Sequence, residues 1–341
     1  MSITLNSNNA ATKAAFNLSK ASDSLRKSLA RLSSGNRIVD SNDDPGGMSV
    51  AYKLNSRMRR TEAVRSNVQN GISFLQVQDG ALQSAGTIVN RMAELRAMAQ
   101  DVTKNANDAE NYTKEFVELQ KQLSQLYREK FNDVSLFAVS DSEEELPPDR
   151  PALYKGVEVD EDGNNQFKFS RRLFTHDSGQ ASDGNVSLGI VNFESVFKLG
   201  QLDSRYISNF SGSLVNLSNA NSINSTKYPT GGSSENSEVF TESGFISSIL
   251  FVSMGQFTSV IERIADARAE NGAEQNRLLK IDGLLSSNLT NLEAAHGRIM
   301  DADIALESAR FAQQNVLVQA SAAMVAQANQ ISSIALTILG R

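Results

Sequence analysis

Side chains able to do chemistry are few in this chain, and they are scattered. Its two histidines, His176 and His296, fall in different segments. A nucleophilic relay needs an imidazole beside both a hydroxyl or thiol and a carboxylate. His296 sits on a helical stripe and His176 in a loop-rich stretch, so both read as packing or surface residues. Neither belongs to a His-Glu-x-x-His zinc helix, and no glycine loop with its lysine is present to cradle a phosphate. Asp40, Asn42 and Asp44 have the spacing of the first ligands of a calcium loop. Pro45 stands where that loop turns on glycine, however, and Ala51 where it needs a bidentate glutamate. Asp160, Asp162 and Asn164 fail the same test. With no cysteine, disulfides, thiolate metal sites and cysteine nucleophiles are excluded together. These patterns predict a chain that is not an enzyme and needs no cofactor or metal.

Composition narrows the partners. The net charge of −6 and a pI near 5.2 argue against nucleic acid. The dense basic run Arg57, Arg59, Arg60 reads as a solvated or subunit-facing helix surface. No stretch approaches the roughly 18 apolar residues of a membrane span, so no membrane partner is expected. The start of the chain is rich in Asn and Ser and lacks the basic end and apolar centre of a cleaved signal, so any export is expected to read something else. Asn-x-Ser/Thr triplets at Asn185, Asn209, Asn216 and Asn224 arise by chance in so polar a stretch.

The elements carrying these residues are mostly helical. From Ala14 a seam runs Ala14, Leu18, Ala21, Leu25, Ser28, Leu32; at the far end another runs Leu317, Ser321, Met324, Ala328, Ile331, Ala335, Ile338. Steps of four and three place one apolar stripe on each helix, as in coiled coils. Helices with such small side chains hold by packing on partners rather than by propensity. A first helix is predicted over about 10–32, stopped by Ser33-Ser34-Gly35-Asn36, then a turn-rich connector (40–47) in which Asp43, Asp44 and Pro45 suit the start of a new helix. A long helix over about 48–103 and a shorter one over about 109–127 follow. Gly71, Gly80 and Gly86 each weaken the long helix by about 1 kcal/mol relative to Ala, and read as positions of close approach.

From 141 to 151 the chain is acidic and holds three of its five prolines. Strands are expected at 153–159 and 166–169, with a strand pair over 186–197, and 208–237 reads as a polar surface with little to bury. Helix returns near Phe245 with a seam of unbroken four-three steps from Leu250 to Ile299, about 75 Å at 1.5 Å per residue. Its polar members Arg268, Asn271, Gln275 and Asp282 are expected to fix register. The fold class is therefore mainly α: a long antiparallel helical bundle or coiled coil formed by both chain ends, with a small β-rich insert in the middle.

Several motifs in order now resemble one family, bacterial flagellin. They are Leu29-Ala-Arg-Leu-Ser-Ser-Gly-Asn-Arg-Ile38, Asp43-Asp44 with Gly46, Asn70-Gly-Ile-Ser-Phe74, Asp79-Gly-Ala-Leu82, Arg298-Ile-Met-Asp-Ala-Asp303, Val325-Ala-Gln-Ala-Asn-Gln330 and Leu339-Gly-Arg341. The resemblance covers roughly the first 140 and last 95 residues. It implies a structural subunit that self-assembles into the flagellar filament for swimming motility, secreted and extracellular. It also implies export unfolded through the flagellar export apparatus with an export chaperone, and contacts with cap and hook-junction proteins. A hook–filament junction protein of the same superfamily is the alternative. Implied domains are 1–43 with 300–341 lining the filament channel, 44–140 with 246–299 as a helical rod with a short hairpin, and 141–245 as a variable exposed insert. Leu18, Leu25, Leu32, Leu317, Met324, Ile331 and Ile338 are the expected subunit interface. Family members recognised by the innate Toll-like receptor carry two arginines and Glu-Leu on the long helix. Arg91, Glu94 and Leu95 match that epitope here, but Ala93 replaces the second arginine. Asn132-Asp133 stands where the family has an Asn-Gly turn, so a different hairpin is expected, and Pro45 is expected to stiffen the connector.

Overall fold

The computed structural model describes residues 8–138, 154–159, 165–180, 184–200, 202, 215–218 and 239–339. The chain divides into two compact units, residues 1–60 with 287–341, and residues 61–286.

In the first unit, α1 (Asn9–Ser34) begins where the Asn8 side chain accepts from the Ala11 amide at 3.0 Å. It ends at Gly35, whose φ of 72° lets its N–H reach back to the Arg31 carbonyl. Only a residue without Cβ takes that conformation cheaply, which is why the Ser-Ser-Gly sequence stops the helix. Helix α1 packs antiparallel on the C-terminal helix, described below as α6 (Ile304–Leu339). Asn8 Nδ2 donates to the Ala328 carbonyl at one end, and Arg31 approaches Glu307 at the other. Two chain breaks meet here. The connector after α1 and the three-residue break before α6 pair through Asn36 and Asp301, with Ala302 N–H donating to Gly35 O and Arg37 donating to Ile299 O. Asp303 then caps α6, its carboxylate accepting from the amides of Ala305 and Leu306, as N-cap residues do.

The second unit is built on residues 61–99 of α2 (Pro45–Ala99) running antiparallel to residues 254–286 of α5 (Met254–Met300), flanked by α3 (Ala106–Leu126). Its core includes Val68, Leu75, Leu82, Val89 and Met92 of α2 with Phe257, Ile264, Leu278 and Leu285 of α5. A hairpin, β1 (Lys130–Phe131) and β2 (Val134–Ser135), turns on Asn132 and Asp133 with φ of 49° and 61°. The expected change of hairpin is not seen. Both turn residues adopt the left-handed conformation of a primed turn, which the short Asp side chain tolerates.

Strand β3 (Phe137–Ala138) pairs in parallel with β6 (Asn185–Asn192), which pairs with β5 (Asn165–Phe174) and through it β4 (Tyr154–Val159). The expected strand pair over 186–197 is instead β6 followed by a helical turn, α4 (Phe193–Phe197). Asn192 forces the change by accepting from the amides of Glu194 and Ser195, a helix cap in the middle of the apolar run. A two-stranded pair, β7 (Lys198–Gly200) and β8 (Val215–Asn216), follows. Helix resumes only at Met254, after a 3-10 turn at Ile249–Phe251, and not at Phe245. Most of the polar stretch 208–237 lies outside the described residues.

The helical glycines differ. A Cβ on Gly71 would meet Leu173 at 3.0 Å, and one on Gly86 would meet Ile264 at 3.6 Å, whereas Gly80 faces open space. Gly80 is therefore not a packing position. Gly80→Ala should raise unfolding free energy by about 1 kcal/mol, while the tight contact at Gly71 offsets the same gain. Urea denaturation of the two variants, with equal stabilisation as the contradicting result, checks this.

Candidate functional site

Three features stand out once the helices are placed. The first is a polar ladder between α2 and α5 inside the second unit. Gln78, almost fully buried, donates to the Leu136 and Gly189 carbonyls and accepts from Asn271 Nδ2 at 2.7 Å. Asn271 accepts in turn from Gln275, which also reaches the Leu75 carbonyl. Arg268 pairs with Asp79 at 2.9 Å and Arg65 with Asp282 at 3.0 Å; the bonds it donates to Asp79 hold the Arg268 guanidinium above its ordinary pKa. Each bond is satisfied at one sliding position only. The ladder therefore sets the register of two long helices that apolar contacts alone would let slip.

Side chains also hold loops. Gln120 both donates to and accepts from the backbone of Ile246, and buried Arg96 donates to the Val252 carbonyl. Glu274 accepts from the Gly189 amide, occupying an edge of β6.

The second feature is a charge cluster at the joint of the first unit. Lys27 Nζ lies 2.6 Å from Asp43, Arg31 stands 3.8 Å from Asp43 and 3.9 Å from Glu307, and Arg310 stands 3.4 Å from Glu307. The Lys27 hydrogen bond, helped by the Val39 amide, holds the Asp43 carboxyl below its ordinary 3.8. Asp44 caps α2 by accepting from Gly47 N–H, with Pro45 as the first helical residue, where no donor is needed.

The third feature is unfilled apolar surface on the first unit. Toward α1, helix α6 turns Glu307, Phe311, Gln314, Val318, Ser321, Val325 and Ala328. About a quarter turn away lie Leu306, Leu317 and Met324, the last two 44% and 63% exposed. The expected seam through Leu317 and Met324 is thus two stripes. Ser321 and Ala328 face α1, while Leu317 and Met324 point elsewhere, because the helix turns 3.6 residues per turn and both stripes repeat every seven. On α1, Leu18, Leu25 and Leu32 are half-buried along the pairing face, and Phe16 points away, 69% exposed. Ile331 and Ile338 belong to α6, but their side chains lie outside the described residues.

The matched epitope residues separate as well. Arg91 and Glu94 are at the surface, Arg91 bonded to Glu115 and Glu94, and that pairing raises its pKa. Leu95 is fully buried in the core, so it offers no surface to a receptor while the fold is intact. His176 shares one ring nitrogen, Nδ1, between Ser178 and Asp177; a relay needs a different nitrogen for each. Among the described residues no group of His, Asp or Glu forms a metal cluster, and no helix is long and apolar enough to cross a membrane.

The helical ends match the model of the bacterial flagellin N-terminal helical region over residues 5–142 and that of the C-terminal helical region over 254–339. The chain belongs to the bacterial flagellin family. Flagellin from Bacillus subtilis (strain 168) is 29% identical over 329 residues, 96% of each chain, and Flagellin A from Vibrio anguillarum is 25% identical over 99% of this chain and 100% of its own. In fold, it resembles a structure described as that of a flagellar hook-associated protein from Vibrio parahaemolyticus, with a TM-score of 0.50 and 12% identity, covering 76% of this chain and 100% of the other. This flagellin is a filament subunit and a structural protein, and its place is the flagellar filament.

Sequence reading missed the cluster around Arg31 and Glu307. Their closeness is a fact of antiparallel pairing, and the one signal was that both sit in or beside the family motifs.

Asn271→Leu should cost roughly 1–3 kcal/mol, because it leaves the amides of Gln78 and Gln275 short of partners in a buried site; equilibrium unfolding measures it, and a neutral change would contradict the ladder. Asp43 gives a second check. A carboxyl whose native pKa is depressed contributes stability that is complete above the unfolded value and is lost as pH falls through the native one. Carbon-13 NMR should place the Asp43 midpoint below 3.8; a midpoint above it would contradict the Lys27 contact.

Proposed function

We propose that the outward stripe of α6, through Leu306, Leu317 and Met324 and by sequence toward Ile331 and Ile338, is the surface on which sister subunits polymerise. Leu18, Leu25 and Leu32 of α1 align the paired helix beside it. The observation that carries the proposal is the exposure of Leu317 and Met324 on a helix that bears no charged residue between Arg310 and Leu339. Burying each such side chain contributes about 1.5–3 kcal/mol, and repetition along a polymer multiplies it.

On this reading residues 1–43 and 300–341 line the filament channel, 44–140 and 246–299 form the rod, and 141–245 face outward. The subunit leaves the cell unfolded through the flagellar export apparatus, accompanied by an export chaperone, and meets hook-junction and cap proteins at the filament's two ends. Arg91 and Glu94, with Ala93 between them, form the part of the receptor epitope open to contact. The lost arginine there removes a charged contact of the kind that carries interface energy.

Leu317→Asp and Met324→Asp put an unpaired charge on the stripe without touching the α1 pairing face. Both should abolish elongation from filament seeds, seen by electron microscopy, while circular dichroism keeps the wild-type helical signal. Normal filaments from either variant would contradict the interface. Wild-type protein that fails to elongate on seeds would favour the hook-junction alternative.

A further inference from the structure

The chain carries no cysteine, so the thioether sulfurs of its eight methionines are its most easily oxidised atoms. Most of them are sheltered. Met92 is fully buried in the core of the second unit, and Met48, Met58, Met98 and Met300 are half-buried. Among the described residues only Met254 and Met324 stand open, 41% and 63% exposed. Met254 is the first residue of α5 and lies off the proposed polymer surface. Met324 lies on it. The other members of that stripe, Leu306, Leu317 and by sequence Ile331 and Ile338, offer no side-chain hydrogen-bond donor, and no charged residue follows Arg310 until the helix ends at Leu339.

We propose that Met324 is a redox modification site: a peroxide converts it to the sulfoxide in the unassembled subunit, and the sulfoxide bars that subunit from the polymer. The inference rests on the reading of the α6 stripe as the polymer surface. In the step the sulfur lone pair takes one peroxide oxygen, the O–O bond breaks, and a proton passes to the departing hydroxide to give water. Sulfur is oxidised by two electrons and the peroxide is reduced by them. The product replaces a flexible apolar side chain with a polar one. On the stripe its new acceptor oxygen would be buried against aliphatic side chains, and an unpaired polar group opposes that burial. Disorder of the tail in the isolated chain leaves the argument intact, since an undocked α6 exposes Met324 at least as fully. Once sister subunits cover the stripe, the sulfur is beyond the oxidant's reach. Oxidation therefore sorts subunits that have not yet been added and spares those already in place. The sorting is reversible, because methionine sulfoxide reductases return the sulfide.

The test uses the full-length chain and hydrogen peroxide. Dilute wild-type protein, M324L and M254L are treated until peptide mass spectrometry finds Met324 of the wild type as the sulfoxide while Met92 stays unmodified. Each sample is then compared with its own untreated control in elongation of filament seeds. Wild type and M254L should elongate roughly tenfold more slowly or worse, the effect of burying one unpaired polar group. Treated M324L should match untreated M324L, and methionine sulfoxide reductases should restore the wild type. Treated wild type that elongates at its untreated rate would overturn the proposal, and so would M324L losing as much as the wild type. Should M324L not elongate even untreated, the wild-type and reductase arms decide alone. L317D separates the two readings. If L317D is blocked while the sulfoxide is tolerated, this proposal alone fails; if L317D elongates normally, the polymer surface and this proposal fail together.

Discussion

The pairing of α1 with α6 is the contact on which the first unit rests, and it is a thin one. Its buried members include Ala21, Ser28 and Ala328 rather than large aliphatics, so it lets two helices approach closely but contributes little per residue. Larger side chains are left uncovered: Phe16, Leu317 and Met324 all project from the pair. A helix pair of this kind gains more by meeting another copy than by its own closure. On the proposed reading, polymerisation completes an under-packed fold, and the charge-free tail of α6 is the part it covers.

The second unit is held differently. Its long helices bury Leu, Val, Met and Phe side chains in bulk, and the uniform four-three spacing of those residues would accept more than one sliding position. Gln78, Asn271, Gln275 and the two ion pairs remove that freedom. Gln78 also bonds the backbone of the hairpin region and of β6, and Glu274 occupies the β6 edge. The β elements are therefore fastened to the helices by polar side chains. An open strand edge is closed in the process, which lowers the risk of unplanned strand pairing.

Much of this was legible in the sequence. Helix positions followed from stripe spacing, the stop of α1 followed from Gly35 and the start of α2 from Pro45, whose backbone preferences act locally. The polar members of the α5 seam pointed to a register device, because an amide on an apolar stripe must find a partner. Less legible was anything that depended on which way a stripe faces. Leu317 and Ser321 belong to one numerical series and stand only about 40° apart around the helix, so only the partner helix tells the covered one from the exposed one. Leu95 matched the receptor motif, and its rotation on α2 puts it in the core. Asn192 turned an apolar run from strand to helix by a single cap. The Arg31 cluster was invisible for a related reason: three residues far apart in sequence meet only when both helix breaks are aligned. Even so, most of the motifs that mark the family contribute to these joints, from the Gly35 cap to Asp43, Asp79 and Asp303.

The central claim is that sister subunits cover the outward face of α6. Amide hydrogen exchange across residues 304–330, compared between dilute monomer and sedimented filaments of the same protein, tests it most directly. The account predicts rapid exchange in the monomer and strong protection in the filament, with residues 68–95 protected in both. Equal protection of 304–330 in the two states would contradict it.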